Sequence, residues 1–200
     1  MKSLLRLCLL IMLPTQVFAE EPKPAPTMPS GLVEKMRGTV LFNGSAIKEG
    51  DIINKVGKIE TKEKSFLKIK IEKWKNVISI GPSSVMELNF NDEKKYTLDE
   101  GQCRWKSFAP SDSKGKIFTK FVSLGVRGTD FIVKANPALS ESEIFVLDGE
   151  VMMDNLADKA NSELIKKGQW GGLGGRFGSK IQPPINLPES VLKEMDKSIE

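Results

Sequence analysis

The residues that could do chemistry in this chain are basic and aromatic side chains on strand-like segments. Lysines recur through residues 62–75, and Trp105 and Trp170 lie further along the chain. Clustered amines attract anionic polymers, and an indole offers a flat apolar face on which a sugar ring can stack. One interpretation is therefore a binding face for an anionic envelope polysaccharide such as peptidoglycan or lipopolysaccharide, with these candidate residues: Lys68, Lys70, Lys73, Lys75 and Trp105.

The same lysines have a second interpretation that needs no ligand. Lysine runs on strands are typical of a solvated face, or of a sheet edge protected against pairing with another sheet. Both interpretations stay open at the level of sequence.

The composition argues against catalysis. The chain has no histidine, which excludes Ser-His-Asp and Cys-His nucleophile systems and removes the commonest transition-metal ligand. Its acidic residues lie mostly in predicted turns, where carboxylates are usually solvated, and no calcium-loop or phosphate-loop motif is present. We expect a protein that is not an enzyme and uses no cofactor or metal.

The N-terminus predicts export. Residues 1–19 combine the basic Lys2 and Arg6 with an apolar stretch and a small residue, Ala19, at the expected cleavage site. Residues 20–31 form a proline-rich linker. Cleavage leaves 28 basic and 26 acidic residues, a net charge of +2, which gives no support for a nucleic-acid partner. We expect a periplasmic or otherwise exported protein without a transmembrane segment.

The remainder of the chain predicts an all-β fold. Leu67, Ile69 and Ile71 alternate with polar residues, which is the period of a half-buried antiparallel strand. Further short strands are predicted at 77–80, 86–90, 96–98, 103–108, 117–124, 129–133 and 144–153. Such spacing indicates one antiparallel β-sandwich or β-roll over residues 32–170. In the Gly/Pro-rich tail, 171–200, helical spacing of apolar residues from Val191 to Ile199 predicts a short amphipathic helix.

Several motifs occur in the order seen in FecR-domain proteins, which this chain resembles over residues 33–169. They include a Gly-Asp turn, a Gly-Pro-Ser turn, a Val-Arg-Gly-Thr-Asp-Phe segment and a Gly after a strand. The matching residues are Gly50, Asp51, Gly81, Pro82, Arg127, Gly128, Thr129, Phe131 and Gly149. We interpret them as structural: Gly128 permits a bend, and the Arg127 guanidinium needs carbonyls or an acid such as Asp130 as partners.

The resemblance implies an extracytoplasmic all-β module. Its best-known members are transmembrane regulators that relay a signal from an outer-membrane receptor to a sigma factor. Here a predicted signal peptide and linker take the place of the cytoplasmic segment and membrane helix, so direct sigma-factor control is not expected. The expected function is a protein-interaction or signalling-accessory module of the cell envelope, with an envelope protein as partner. Polysaccharide binding is the alternative.

Overall fold

The computed structural model describes residues 29–90, 95–108, 116–126 and 128–199, which form seventeen strands and one α-helix. The predicted signal peptide, most of the predicted linker, and Arg127 lie outside the described residues. The first strands are β1 (Gly31–Arg37), β2 (Val40–Phe42), β3 (Ser45–Ala46), β4 (Ile52–Ile53), β5 (Gly57–Thr61), β6 (Phe66–Ile71), β7 (Asn76–Ile80) and β8 (Ser84–Leu88).

The second half of the chain continues in the same way. It contains β9 (Lys95–Ser107), β10 (Lys116–Phe118), β11 (Val122–Val126), β12 (Asp130–Asn136), β13 (Glu141–Asp148), β14 (Glu150–Asn155), β15 (Ser162–Lys166), β16 (Gln169–Leu173), β17 (Ile185–Asn186) and α1 (Glu189–Lys197).

These strands form two sheets that share β9. The first sheet has the order β4-β1-β6-β7-β9-β12-β13-β16-β17. The second has the order β3-β2-β5-β8-β9-β10-β11-β14-β15. Every pairing is antiparallel except that of β9 with β10. The predicted all-β, sandwich-like fold with a short C-terminal helix is confirmed.

The core lies between the sheets and follows from strand alternation. The inward residues of β6, Leu67, Ile69 and Ile71, are fully buried, whereas Lys68 and Lys70 face outward, as the period-two pattern predicts. At the centre, the Trp105 and Tyr96 rings lie 5.1 Å apart between their centroids. Burial of these large apolar groups is the main stabilising contribution to the fold.

Three of the predicted strand divisions are wrong. Residues 144–153 were expected as one strand but form parts of β13 and β14, which lie in different sheets and are separated by Gly149 at φ +79°. Residues 96–98 and 103–108 were expected as separate strands, but 96–98 and 103–107 belong to the continuous β9, because Gly101, at φ +90°, bends the chain without breaking its pairing. Conversely, residues 117–124 were expected as one strand but form the hairpin of β10 and β11. The Thr119 hydroxyl accepts the Val122 N–H at 3.1 Å and closes that turn.

Helix α1 packs on the outer face of the first sheet. Ile199, two residues after the end of the helix, is buried together with Phe66, Ile132, Phe145 and Trp170, and Met195 packs against this cluster. The helix covers the part of the sheet near β13. Its apolar stripe therefore belongs to its own domain.

Candidate functional site

Strand pairing places basic side chains next to one another on the outer face of the first sheet. In register, Lys35 of β1 lies opposite Lys68 of β6, Lys68 opposite Ser79 of β7, and Ser79 opposite Arg104 of β9. Residues directly opposite on one face are close enough for their side chains to interact. Four strands thus contribute to one row that runs toward the end of α1.

This row forms one wall of a groove of about 350 Å³ between the sheet face and Ile199, which lies two residues after α1. We call it the basic groove. Its lining residues are Lys35, Phe66, Lys68, Val77, Ser79, Arg104, Lys106, Phe108 and Ile199.

Arg104 anchors the groove to the helix. The guanidinium is buried and donates from Nε to Asp130 Oδ1 at 2.8 Å and from Nη2 to Asp130 Oδ2 at 2.9 Å, a bidentate pair. It also donates from Nη1 to the backbone carbonyl of Asp196, at 2.9 Å, and from Nη2 to the Asp196 carboxylate, at 2.6 Å. Hydrogen bonding to Asp130 raises the pKa of Arg104 above its ordinary, already high value, so the Arg104 guanidinium remains a cation.

The lysines of the groove differ in their pairing. Lys68 contacts Glu34 at 3.0 Å, and Lys106 contacts Asp130 at 3.2 Å. Lys35 is exposed and has no hydrogen-bond or ion-pair partner among the described residues. None of the carboxylates that pair with these cations is among the described lining residues. They lie at the border of the groove and offset the charges of Lys68, Lys106 and Arg104, so Lys35 is the described lining cation that has no partner.

An exposed aromatic ring lies at the rim. Phe108 is 61% exposed, and the Lys106 ammonium lies 5.7 Å from the centroid of its ring. The buried Phe66 ring lies deeper in the groove. The groove can therefore contact an apolar group while holding a negative charge.

The structure divides the predicted ligand face. Lys68 lines the groove, and Lys70 is paired with Glu72 at 2.6 Å. Lys73 belongs to the 3₁₀ turn between β6 and β7, and Lys75 ends that turn in a left-handed conformation. Neither residue is part of the groove lining.

The expectation that Trp105 is available for sugar stacking is wrong for this conformation. Its side chain is fully buried, because alternation along β9 directs it to the same side as Cys103, into the core. Its Nε1 has no hydrogen-bond partner among the described residues. Trp170 is also buried, beneath the C-terminal segment.

The residues of the Gly-Asp motif, Gly50 and Asp51, stabilise a turn. Gly50, at φ +89°, donates its N–H to the Val33 carbonyl at 2.9 Å, and the Asp51 carboxylate accepts the Lys48 N–H at 2.9 Å. These bonds fasten the turn before β4 to β1.

The turn between β7 and β8 is fixed in a similar way. Gly81 donates its N–H to the Gln102 carbonyl at 2.9 Å. The Pro82 carbonyl accepts the Ser84 hydroxyl at 3.0 Å. Gly81 thus joins this turn to β9, whereas the Pro82 carbonyl binds within the turn, to the first residue of β8.

The remaining motif residues bring two turns together. Gly128 and Gly149 have φ of +62° and +79°, and a Cβ on Gly149 would lie 2.9 Å from the Gly128 carbonyl oxygen. The backbone carbonyl of Thr129 accepts the Ser107 N–H at 3.0 Å. The Phe131 side chain is fully buried in the core. Asp130, considered as a partner for Arg127, is bound by Arg104 and Lys106, and Arg127 itself lies outside the described residues.

Sequence reasoning missed most of the groove. Lys35 comes from β1, Arg104 and Lys106 come from β9, and Phe108 follows β9 directly. In the described sheet, β1 is connected to β9 through β6 and β7. One usable signal existed: with Cys103 and Trp105 assigned to one face of a strand, Arg104 and Lys106 must occupy the other.

The described residues contain no group of three or more His, Cys, Asp or Glu side chains arranged to hold a metal ion. In the same part of the chain, no helix has the length and apolar character needed to cross a bilayer.

Comparison with known proteins gives a likeness in structure. No family model matches the sequence, and no curated protein matches it. A 1.65 Å crystal structure described as a "putative anti-sigma factor" from Parabacteroides distasonis ATCC 8503 is similar with a TM-score of 0.59 at 14% identity. The match covers 70% of this chain and 64% of that one. A 2.50 Å structure with the same description gives a TM-score of 0.58 at 13% identity, covering 70% and 63%. The chain thus spans less than two thirds of these neighbours, and they share its fold.

Proposed function

We propose that this protein is an exported FecR-domain protein that serves as a non-enzymatic accessory of signalling in the cell envelope by binding a protein partner. Two independent lines support the proposal: the order of the Gly-Asp, Gly-Pro-Ser and Val-Arg-Gly-Thr-Asp-Phe motifs, and the fold shared with the Parabacteroides protein. Neither line depends on a catalytic group.

The observation that carries the proposal is the half-covered outer face of the first sheet. One part is covered by α1 and the buried cluster around Ile199. The adjoining part is the basic groove, where Phe108 is exposed. Exposed aromatic residues next to basic ones are characteristic of protein interfaces. The helix itself is not the proposed docking element because its apolar stripe faces the sheet.

The test first measures cleavage of the predicted signal peptide and then measures binding of a partner. The full chain, with an epitope tag inserted within residues 20–28, is expressed in a Gram-negative host, and the periplasmic fraction is analysed by intact mass. Loss of residues 1–19 is expected. The protein is then used to capture partners from solubilised envelope at low and high salt, and the eluate is analysed for proteins and glycans.

A discrete protein that is retained at high salt and lost with Phe108→Ala supports the proposal. Leu139→Ala is the matched control, because Leu139 is also exposed, at 53%, in the turn after β12. An unprocessed cytoplasmic chain would contradict export. Recovery of glycan alone, released by salt, would favour the polysaccharide alternative over a protein partner.

A further inference from the structure

We propose that the basic groove binds an acidic peptide segment of the partner, in which carboxylate side chains flank an apolar one. This inference rests on the proposed function, since it specifies the chemistry of the partner and the surface that receives it. Four features of the groove support it.

The first feature is charge. Among the described residues, Lys35, Lys68, Lys106 and Arg104 line the groove and no carboxylate does. Glu34 and Asp130 hold the amines of Lys68 and Lys106 from outside the lining, at 3.0 and 3.2 Å. These contacts position the amines and leave ammonium hydrogens for further acceptors, because an ammonium group has three donors. Lys35 has no described partner, so no carboxylate of the described residues offsets its charge.

The second feature is the kind of hydrogen bond available. Lysine and arginine side chains only donate, and among the described lining residues Ser79 is the one whose side chain can accept. A carboxylate only accepts, so it complements this set. A neutral sugar presents hydroxyl groups that both donate and accept, and its donors would find few acceptors among these lining side chains.

The third feature is the apolar surface among the cations. Phe66, Val77 and Ile199 line the groove, and Phe108 stands exposed at its rim. Burying an apolar side chain against such a surface contributes about 25 cal/mol per Å² of area removed from water. A segment that alternates carboxylates with a leucine or phenylalanine would use both properties.

The fourth feature is a contact of this kind already present in the structure. Arg104 binds the carboxylate and the backbone carbonyl of Asp196, which belongs to α1. The neighbouring apolar contact comes from Ile199. The sheet face therefore already recognises an acidic, partly apolar segment of its own chain, and the groove continues this surface toward β1.

The experiment uses two synthetic, end-capped peptides of the same length. One is Asp-Leu-Glu-Phe-Asp, and the other is its uncharged amide analogue, Asn-Leu-Gln-Phe-Asn. Each is titrated into ¹⁵N-labelled protein and followed by amide chemical shifts. We expect the acidic peptide to shift the amides of Lys35, Lys68 and Ser79, and the amide analogue to bind at least about tenfold more weakly. Binding should weaken between about 0.05 and 0.5 M salt, because salt screens exposed charges.

Variants locate the site. Lys35→Glu replaces an attraction with a repulsion and should weaken binding of the acidic peptide about tenfold. Lys159→Glu makes the same charge change on an exposed lysine in the turn between β14 and β15 and should leave affinity unchanged. Phe108→Ala should weaken binding about fivefold, with Leu139→Ala as its control.

Equal binding of the two peptides, or shifts confined to other surfaces, would overturn the inference. So would stronger binding of purified lipopolysaccharide or peptidoglycan fragments at the same groove. A partner captured equally by wild type and Lys35→Glu would leave the proposed function standing and refute this groove as its site. Tight binding of the acidic peptide without any captured protein would refute the proposed function instead.

Discussion

At the scale of the residue, alternation along β9 decides which side chains enter the core and which face outward. Cys103 and Trp105 are fully buried, whereas Arg104 and Lys106 line the basic groove. Burial raises the pKa of the Cys103 thiol to about 12, since a low-dielectric environment disfavours the thiolate. The thiolate is the nucleophile in thiol chemistry, so this cysteine is inert in the folded protein.

We therefore predict that Cys103 resists alkylation in the native protein. At pH 8, iodoacetamide should leave the peptide containing Cys103 unmodified over a time in which the same reagent in 8 M urea modifies it fully. The measurement is peptide mapping by mass spectrometry, which distinguishes this residue from Cys8. Rapid modification without denaturant would show that the core around Trp105 opens readily.

At the scale of the element, the position of α1 depends on a buried ion pair beneath it. Arg104 and Asp130 form a bidentate contact with side chains only 8% and 12% exposed. Asp196, a residue of α1, also binds Arg104 and so connects the helix to this pair, although the Asp196 side chain is 57% exposed. Removing one member of a buried pair leaves an uncompensated charge, which costs more than removing both.

We predict that Arg104→Met lowers the free energy of unfolding by about 3 kcal/mol. The double variant Arg104→Met with Asp130→Leu should recover much of this loss. Urea denaturation measures both effects. Arg176→Met is the matched control, because Arg176 is 74% exposed and its contact with Glu143 is 3.8 Å long, so it should cost less than about 1 kcal/mol. A double variant no more stable than Arg104→Met alone would contradict this account.

At the scale of the whole molecule, β9 connects the two sheets. Its residues up to Glu100 pair with β8 of the second sheet, and those from Gly101 onward pair with β12 of the first. The bend at Gly101 needs a positive φ and close contact with Ser84, whose Cα would lie 2.6 Å from an added Cβ. This one glycine allows both sheets to close around the same core.

We predict that Gly101→Ala destabilises the protein by at least 3 kcal/mol, because strain at positive φ adds to a collision with backbone atoms. Gly50→Ala is the matched control. Gly50 has nearly the same φ, +89°, but nothing lies within 4 Å of its added Cβ, so only the backbone strain of about 1 kcal/mol is expected. Thermal and urea unfolding measure the difference. Equal losses in the two variants would show that contact with Ser84 is unimportant.

The sequence by itself determined the features that depend on neighbours along the chain. Alternation in β6 identified the buried residues, and the spacing of Val191, Leu192 and Met195 identified the C-terminal helix. These patterns are local because the backbone fixes the period of a strand or helix. Local patterns were insufficient at Gly101, where a glycine that elsewhere ends a strand instead bends one.

Only the tertiary structure decided which outward residues meet. Lys35 and Lys106 are 71 positions apart in the sequence, and they share the groove because β6 and β7 pair between β1 and β9. A lysine run along one segment suggested a binding face, but the structure divides that run between the groove, a turn and an ion pair with Glu72. Register between distant strands depends on the packing of the whole core, which is why the candidate site emerged only with the fold.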